Sequence, residues 1–128
     1  MTDNVNHPKH YTGPLVSIEC IQITRHMGFL LGNAFKYIWR AGHKGDVKKA
    51  VEDLDKALWY IQMYRRDYAP VDHDNAKLIF NLLPVPDSWE ASRYAALKGI
   101  LYIDFDAAHA AVNKMKKYFQ GLLPEGSL

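Results

Sequence analysis

The stretch Leu31-Gly32-Asn33-Ala34-Phe35-Lys36-Tyr37-Ile38-Trp39-Arg40-Ala41-Gly42-His43-Lys44-Gly45-Asp46-Val47 reads as one helix, a glycine-rich turn and the start of another helix. Leu31, Phe35, Ile38 and Trp39 recur at helical spacing, and Gly42 is a fitting stop. Asp46 then has the chemistry of an N-cap for a helix whose apolar set is Val47, Ala50, Val51, Leu54, Ala57, Leu58 and Ile61. The pattern predicts helices from about Leu30 to Ala41 and from about Val47 to Asp67. Joined by so short a turn, they should pack as an antiparallel hairpin. The side of the first that is not apolar carries Asn33, Lys36, Tyr37, Arg40 and Lys44 at i, i+3, i+4, i+7 and i+11, one continuous polar and cationic stripe.

Upstream of the hairpin, the first fourteen residues end in His7-Pro8-Lys9-His10-Tyr11-Thr12-Gly13-Pro14 and show turn formers without periodicity, which predicts an extended arm. A first helix should follow, with Ser17 as N-cap, Val16, Cys20, Ile23 and Met27 as its apolar stripe, and Gly28 as its stop. Glu19, Gln22 and His26 fall on its other side.

Downstream, Ala69-Pro70 breaks the pattern. A short helix is expected over about Asn75 to Leu83, then a turn at Pro84-Val85-Pro86. Asp87 and Glu90 have capping-box spacing for a helix running to about Leu101. The last helix, about Asp106 to Gln120, sets Phe105, Ala108, Val112, Met115 and Phe119 on one face, with Gly121 to end it. Gly99 to Ile103 has strand-like composition but no partner strand, so the expectation is all-α: a compact helical bundle of about five to six helices with an extended N-terminal arm. The organisation read from the sequence is a helical core with its arm over residues 1–68 and a helical extension over 69–128, packed on or beside the core.

With 128 residues, 48% of them hydrophobic, the chain suffices for one domain with a real core. No apolar run approaches the length of a membrane span, and the start lacks the regions of a signal peptide, so a cytoplasmic protein with no membrane partner is expected. The one cysteine, Cys20, excludes an internal disulfide and suits a reducing compartment. A net charge of +2 argues against duplex nucleic acid as partner. Residues 1–68 hold ten Lys/Arg against seven Asp/Glu, whereas 69–128 hold six against seven, so the N-terminal half is the better host for an anion.

The stripe has the means to hold such an anion. Arg40 offers a planar fork suited to phosphate, Tyr37 a stacking ring, and the turn Gly42-His43-Lys44-Gly45 precedes the free backbone N–H groups of a helix start. The alternative is an ordinary solvated face. No G-x-x-x-x-G-K-[ST] occurs, which excludes a P-loop enzyme. Glu52, Asp53 and Asp55, with Glu19 elsewhere, are carboxylates of the kind that hold magnesium, against the plainer reading of a solvated face with an i,i+4 pair between Glu52 and Lys56. His7 and His10 lack the helical register and the cysteine companions of a zinc site. Trp59, Tyr60, Tyr64 and Tyr68 read as core and interface residues, and a helix with apolar character on both faces suggests a homo-oligomer.

In order, His7-Pro8-Lys9-His10-Tyr11, Ile18-Glu19-Cys20-Ile21, Gly32-Asn33-Ala34-Phe35-Lys36-Tyr37-Ile38-Trp39-Arg40-Ala41-Gly42-His43-Lys44 and Glu52-Asp53-Leu54-Asp55-Lys56-Ala57-Leu58-Trp59-Tyr60 resemble the motifs of a small phage-encoded family. That family includes a deoxynucleoside monophosphate kinase without a P-loop, and the resemblance covers about residues 7–65. It implies nucleotide-binding roles for His10, Tyr11, Asn33, Lys36, Tyr37, Arg40, Lys44 and Lys56, and a phage product at work in the infected bacterial cytoplasm. In the kinase version, magnesium and ATP are required, Arg40, Asp53 and Glu19 are the catalytic candidates, and Glu19 and Asp53 the candidate magnesium ligands. A non-catalytic sponge for cyclic or modified nucleotide immune signals, an anti-defence protein, needs cations, a ring and an arm but no cofactor. An all-α nucleotide pyrophosphohydrolase would need a larger carboxylate set, and a helical interaction module would need none.

Overall fold

A computed structural model describes residues 18–124, which form six helices: α1 (Cys20–Thr24), α2 (Phe29–Arg40), α3 (Val47–Arg66), α4 (Asp74–Phe80), α5 (Glu90–Leu101) and α6 (Phe105–Gln120). The described residues are thus all-α. The proposed arm, with His10 and Tyr11, lies outside them, as do Val16 and Ser17.

The α2–α3 hairpin forms as its sequence predicts. The Asp46 carboxylate accepts from the Lys49 backbone N–H at 2.9 Å, capping α3. Gly42 and Gly45 in the turn adopt φ of +86° and +84°. Gly42 is required twice over, because a Cβ there would lie 2.6 Å from the Phe119 ring as well as in the left-handed region. Leu31, Phe35 and Ile38 of α2 meet Leu54, Ala57 and Ile61 of α3 in a fully buried core.

A second hairpin, α5–α6, closes over the first. Its helices approach so closely that a Cβ on Gly99 would sit 2.9 Å from Ala108. The α6 helix packs on α3, where Lys116 pairs with Asp55 at 2.7 Å, and α5 packs on α2. Ala96, Ile100, Leu101, Val112 and Met115 complete the core. Helix α4 lies against α1, and the buried His73 at its start ties it to the end of α5 through Nδ1 and the Leu101 carbonyl oxygen, 3.1 Å apart.

Three local expectations are corrected. Helix α1 starts at Cys20, where Glu19 and Gln22 form a capping box, and ends before Met27. Gly28 accordingly N-caps α2 instead of stopping α1. Asp87 does not cap α5: Ser88 has φ of +59°, which breaks any helical path from Asp87, and the Glu90 carboxylate is drawn to Arg93. As expected, the segment from Gly99 continues α5 to Leu101 and forms no strand; it then turns, with Ile103 at φ +57°.

Candidate functional site

Along the α2–α3 hairpin, three cationic side chains and four aromatic rings form a cluster around Tyr37 and Tyr60. The Tyr37 ring lies parallel to that of Tyr60 on α3, with centroids 5.9 Å apart and 15° between planes. Around the same ring stand Lys36 Nζ at 4.6 Å, the Arg40 guanidinium at 4.8 Å and Lys56 Nζ at 5.5 Å. Cation–π attraction of this kind is worth about 0.5–1 kcal/mol at exposed sites, and it offsets part of the repulsion among three gathered positive charges.

Beneath the cations lies Asp53, whose side chain is fully buried. Its Oδ2 accepts from Arg40 Nε at 3.4 Å and its Oδ1 from Arg40 Nη2 at 3.2 Å, with Lys49 Nζ 3.5 Å from Oδ1. The expectation of Asp53 on a solvated face of α3 is corrected. The hairpin register brings it inward, where two cations make a buried carboxylate tolerable. The described partners of Arg40 are confined to Nε and Nη2, so Nη1 still has donors to offer. Lys36 and Lys56 are exposed and have no carboxylate partner among the described residues; the i,i+4 pair between Glu52 and Lys56 does not form.

The remaining candidates are distributed as follows. Lys44 is exposed in the turn, beyond Arg40. Asn33 turns back along its own helix, its Nδ2 donating to the Phe29 carbonyl oxygen at 2.8 Å. Glu19 belongs to the α1 cap, and Asp55 is engaged by Lys116. Among the described residues no three His, Cys, Asp or Glu side chains gather around one point. Asp53, as arranged, anchors a guanidinium and is not an open metal ligand. Burial pushes the Cys20 thiol up to about 12, against the opposing influence of Lys36, so it is a packed and unreactive thiol.

Two groups that bear on the site are not assigned to it by the sequence. Arg93 is buried beneath the C-terminal end of α2, and its Nη1 donates to the Ile38 and Trp39 carbonyl oxygens at 2.5 and 2.8 Å. Its Nη2 donates to the Ala41 carbonyl oxygen at 2.7 Å, and Glu90 holds it from the other side. It satisfies carbonyls that a helix end leaves open and so fixes the turn from which Arg40 projects. A sequence signal exists, because Arg93 heads the apolar stripe Ala96, Leu97, Ile100 and Leu101, an odd place for a charge without a buried partner. The second group is Phe29 and Trp59, both against Tyr60; Trp59 was expected in the core or an interface and is exposed here.

A cleft of about 430 Å³ elsewhere on α3 is lined by Ile61, Gln62, Arg65, Arg66 and His109. Its two arginines occupy the last turn of α3, where cations complement the helix dipole. No described helix is long and apolar enough to cross a membrane.

Residues 5–62 match a family described as a protein of unknown function, DUF3310. The matched stretch includes all of α1 and α2 and most of α3, hence the whole Tyr37 cluster, and none of α4 to α6. The chain is also similar to the gene 1.7 protein of Enterobacteria phage T3, with 37% identity over 68 residues that cover 48% of this chain and 41% of that protein. It therefore spans less than half the length of that curated relative. No solved structure matches. The likeness is to a phage protein.

Proposed function

We propose that the protein binds a nucleotide through its phosphates on the α2–α3 face, as a phage-type nucleotide-binding protein with the equipment of a P-loop-lacking nucleoside monophosphate kinase. One observation carries the reading. Lys36, Arg40 and Lys56 converge on the Tyr37 ring, and no carboxylate among the described residues neutralises either lysine. The pair that Lys56 could make with Glu52 on its own helix does not form. The cluster instead holds its charges together, with Asp53 aiming Arg40, which is how a site for a multiply charged anion is prepared.

In the kinase version, a phosphate oxygen of the acceptor monophosphate attacks the γ-phosphorus of ATP, the bond from that phosphorus to the bridging oxygen breaks, and ADP leaves. Lys36, Arg40 and Lys44 would stabilise the charge spread over the transferring group. Asp53 acts here as the positioning residue for Arg40, and magnesium, which neutralises phosphate charge in such reactions, would travel with the nucleotide.

A specific observation favours a second reading, capture without turnover: Asp53 is engaged by Arg40 and Lys49, and Asp55 by Lys116, so neither carboxylate is open for chemistry. The same pairing weighs against a pyrophosphohydrolase. Incubation with magnesium, ATP and each deoxynucleoside monophosphate separates the two. Diphosphate formation that Lys36→Ala and Arg40→Ala abolish supports the kinase; tight, reversible retention of a cyclic or modified nucleotide without turnover supports capture. If the folded protein retains no nucleotide at all, by mass spectrometry of the purified material and by titration, the nucleotide reading is wrong.

A further inference from the structure

We propose that Phe29 and Trp59 form the platform for the base of the nucleotide whose phosphates lie against Lys36, Arg40 and Lys56. This rests on the nucleotide reading above and extends it to the other end of the ligand. Phe29 is 75% exposed and Trp59 54%, an unusual placement for two large apolar rings that both contact Tyr60.

Neither ring is loosely held. Phe29 meets Tyr60 edge-to-face, with centroids 6.1 Å apart and planes at 76°, and Trp59 meets the same ring at 5.0 Å and 87°. Tyr60 in turn lies parallel to Tyr37 at 5.9 Å, the ring that carries the three cations. Two exposed aromatics are thus set in place by one half-buried tyrosine and adjoin a concentrated positive charge.

That pairing selects the occupant. A purely apolar partner surface gains nothing from three gathered cations, and a bare anion gains nothing from two exposed rings. A ligand with a flat base at one end and phosphates at the other satisfies both. The layout also fixes its direction: the base lies at the N-terminal end of α2, by Phe29, and the phosphates toward Arg40 and the turn. Stacking accepts any base, so the platform holds purine and pyrimidine nucleotides alike and leaves choice among bases to other contacts.

The test is calorimetric titration of the full chain, wild type and the variants Phe29→Ala, Trp59→Ala and both together, with ATP and with inorganic tripolyphosphate, which lacks a base. Loss of one stacking contact is expected to weaken ATP about tenfold and leave tripolyphosphate unchanged. Equal weakening of both ligands, or no change in either, overturns the platform while the phosphate site stands. A wild type that binds tripolyphosphate as tightly as ATP does the same. A wild type that binds neither removes the nucleotide reading itself. Sedimentation of wild type and double variant is the second measurement, with the same association state expected. Dissociation of an oligomer by the double variant would assign the rings to a second copy of the chain and overturn the proposal.

Discussion

Arg40 and Arg93 lie on either side of the α2 terminus and use the same side chain in opposite ways. Arg93, 7% exposed at its side chain, spends its donors on three carbonyl oxygens and Glu90. Arg40, 22% exposed, gives Asp53 part of its fork and faces outward with the rest. The aromatic rings of the two hairpins divide in the same manner. Trp89 is stacked on Tyr118 at 4.7 Å and 11° and set edge-on to the buried Phe119, which leaves Tyr118 38% exposed, whereas Phe29 and Trp59 beside Tyr60 are 75% and 54% exposed. In the C-terminal hairpin the protein satisfies its own groups. On the N-terminal hairpin, Lys36 and Lys56 have no carboxylate partner among the described residues, and Phe29 and Trp59 stay exposed; under the proposed function this is where the ligand lies.

Breaking the satisfied side should cost the most stability. Arg93→Ala leaves three helix-end carbonyls beneath α5 without their donor, with an expected loss of about 3–5 kcal/mol in urea denaturation. Arg93→Lys should recover little, because a single ammonium cannot span the carbonyl oxygens of Ile38, Trp39 and Ala41 as the fork does. If Arg93→Ala were as stable as wild type, the contrast between the two arginines would collapse.

Gly42→Ala probes the joint between the hairpins, and roughly 1–3 kcal/mol should be lost to the left-handed backbone and the overlap with Phe119. Combining it with Phe119→Leu should return the part due to overlap and leave the part due to φ.

The open side predicts the reverse pattern. Lys36→Ala and Lys56→Ala should shift stability by less than about 0.5 kcal/mol, since neither side chain has an acidic partner among the described residues. Each should weaken ATP and tripolyphosphate together, steeply at low salt and less at high salt. A stability loss like that of Arg93→Ala would make the cluster structural.

The smallest effect belongs to His73. Burial holds its imidazole below the ordinary value of 6.5, with Lys77 adding to the depression and the Leu101 carbonyl and Asp72 opposing it. Below pH 6.5 the unfolded chain takes up a proton that the folded one refuses. Stability should therefore be level above that pH and fall as pH drops toward the lower folded value. Replacing His73 by Gln should flatten that part of the profile, read from the denaturation midpoint between pH 7.5 and 5.

Helices α2, α3 and α6 were legible to within a residue or so because each has an unbroken apolar period and a cap or glycine at its end. The start of α5 was not, because Asp87 has the right chemistry for a cap while the backbone at Ser88 takes another path. Lys36, Tyr37 and Arg40 could be read as a set, since helical spacing alone places them together. Asp53 could not, because its burial depends on the register between two helices, and no periodicity within one helix encodes it. Arg93 and the Phe29–Trp59 pair were hidden for the same reason, their meaning residing in partners on other helices: α2 for Arg93 and Tyr60 of α3 for Phe29.

Phe119 touches the chain at Gly42, across most of the sequence. The family match ends at residue 62, yet the turn that orients its cationic face is closed by a ring near the far end of the chain. Cutting the protein after the first hairpin would therefore keep every proposed ligand-binding residue and lose the doorstop that sets their angle. A fragment made to isolate the site should be loose in tertiary packing, and a graft of the matched segment onto another scaffold would need a replacement for Phe119 before it needed any new contact to the ligand.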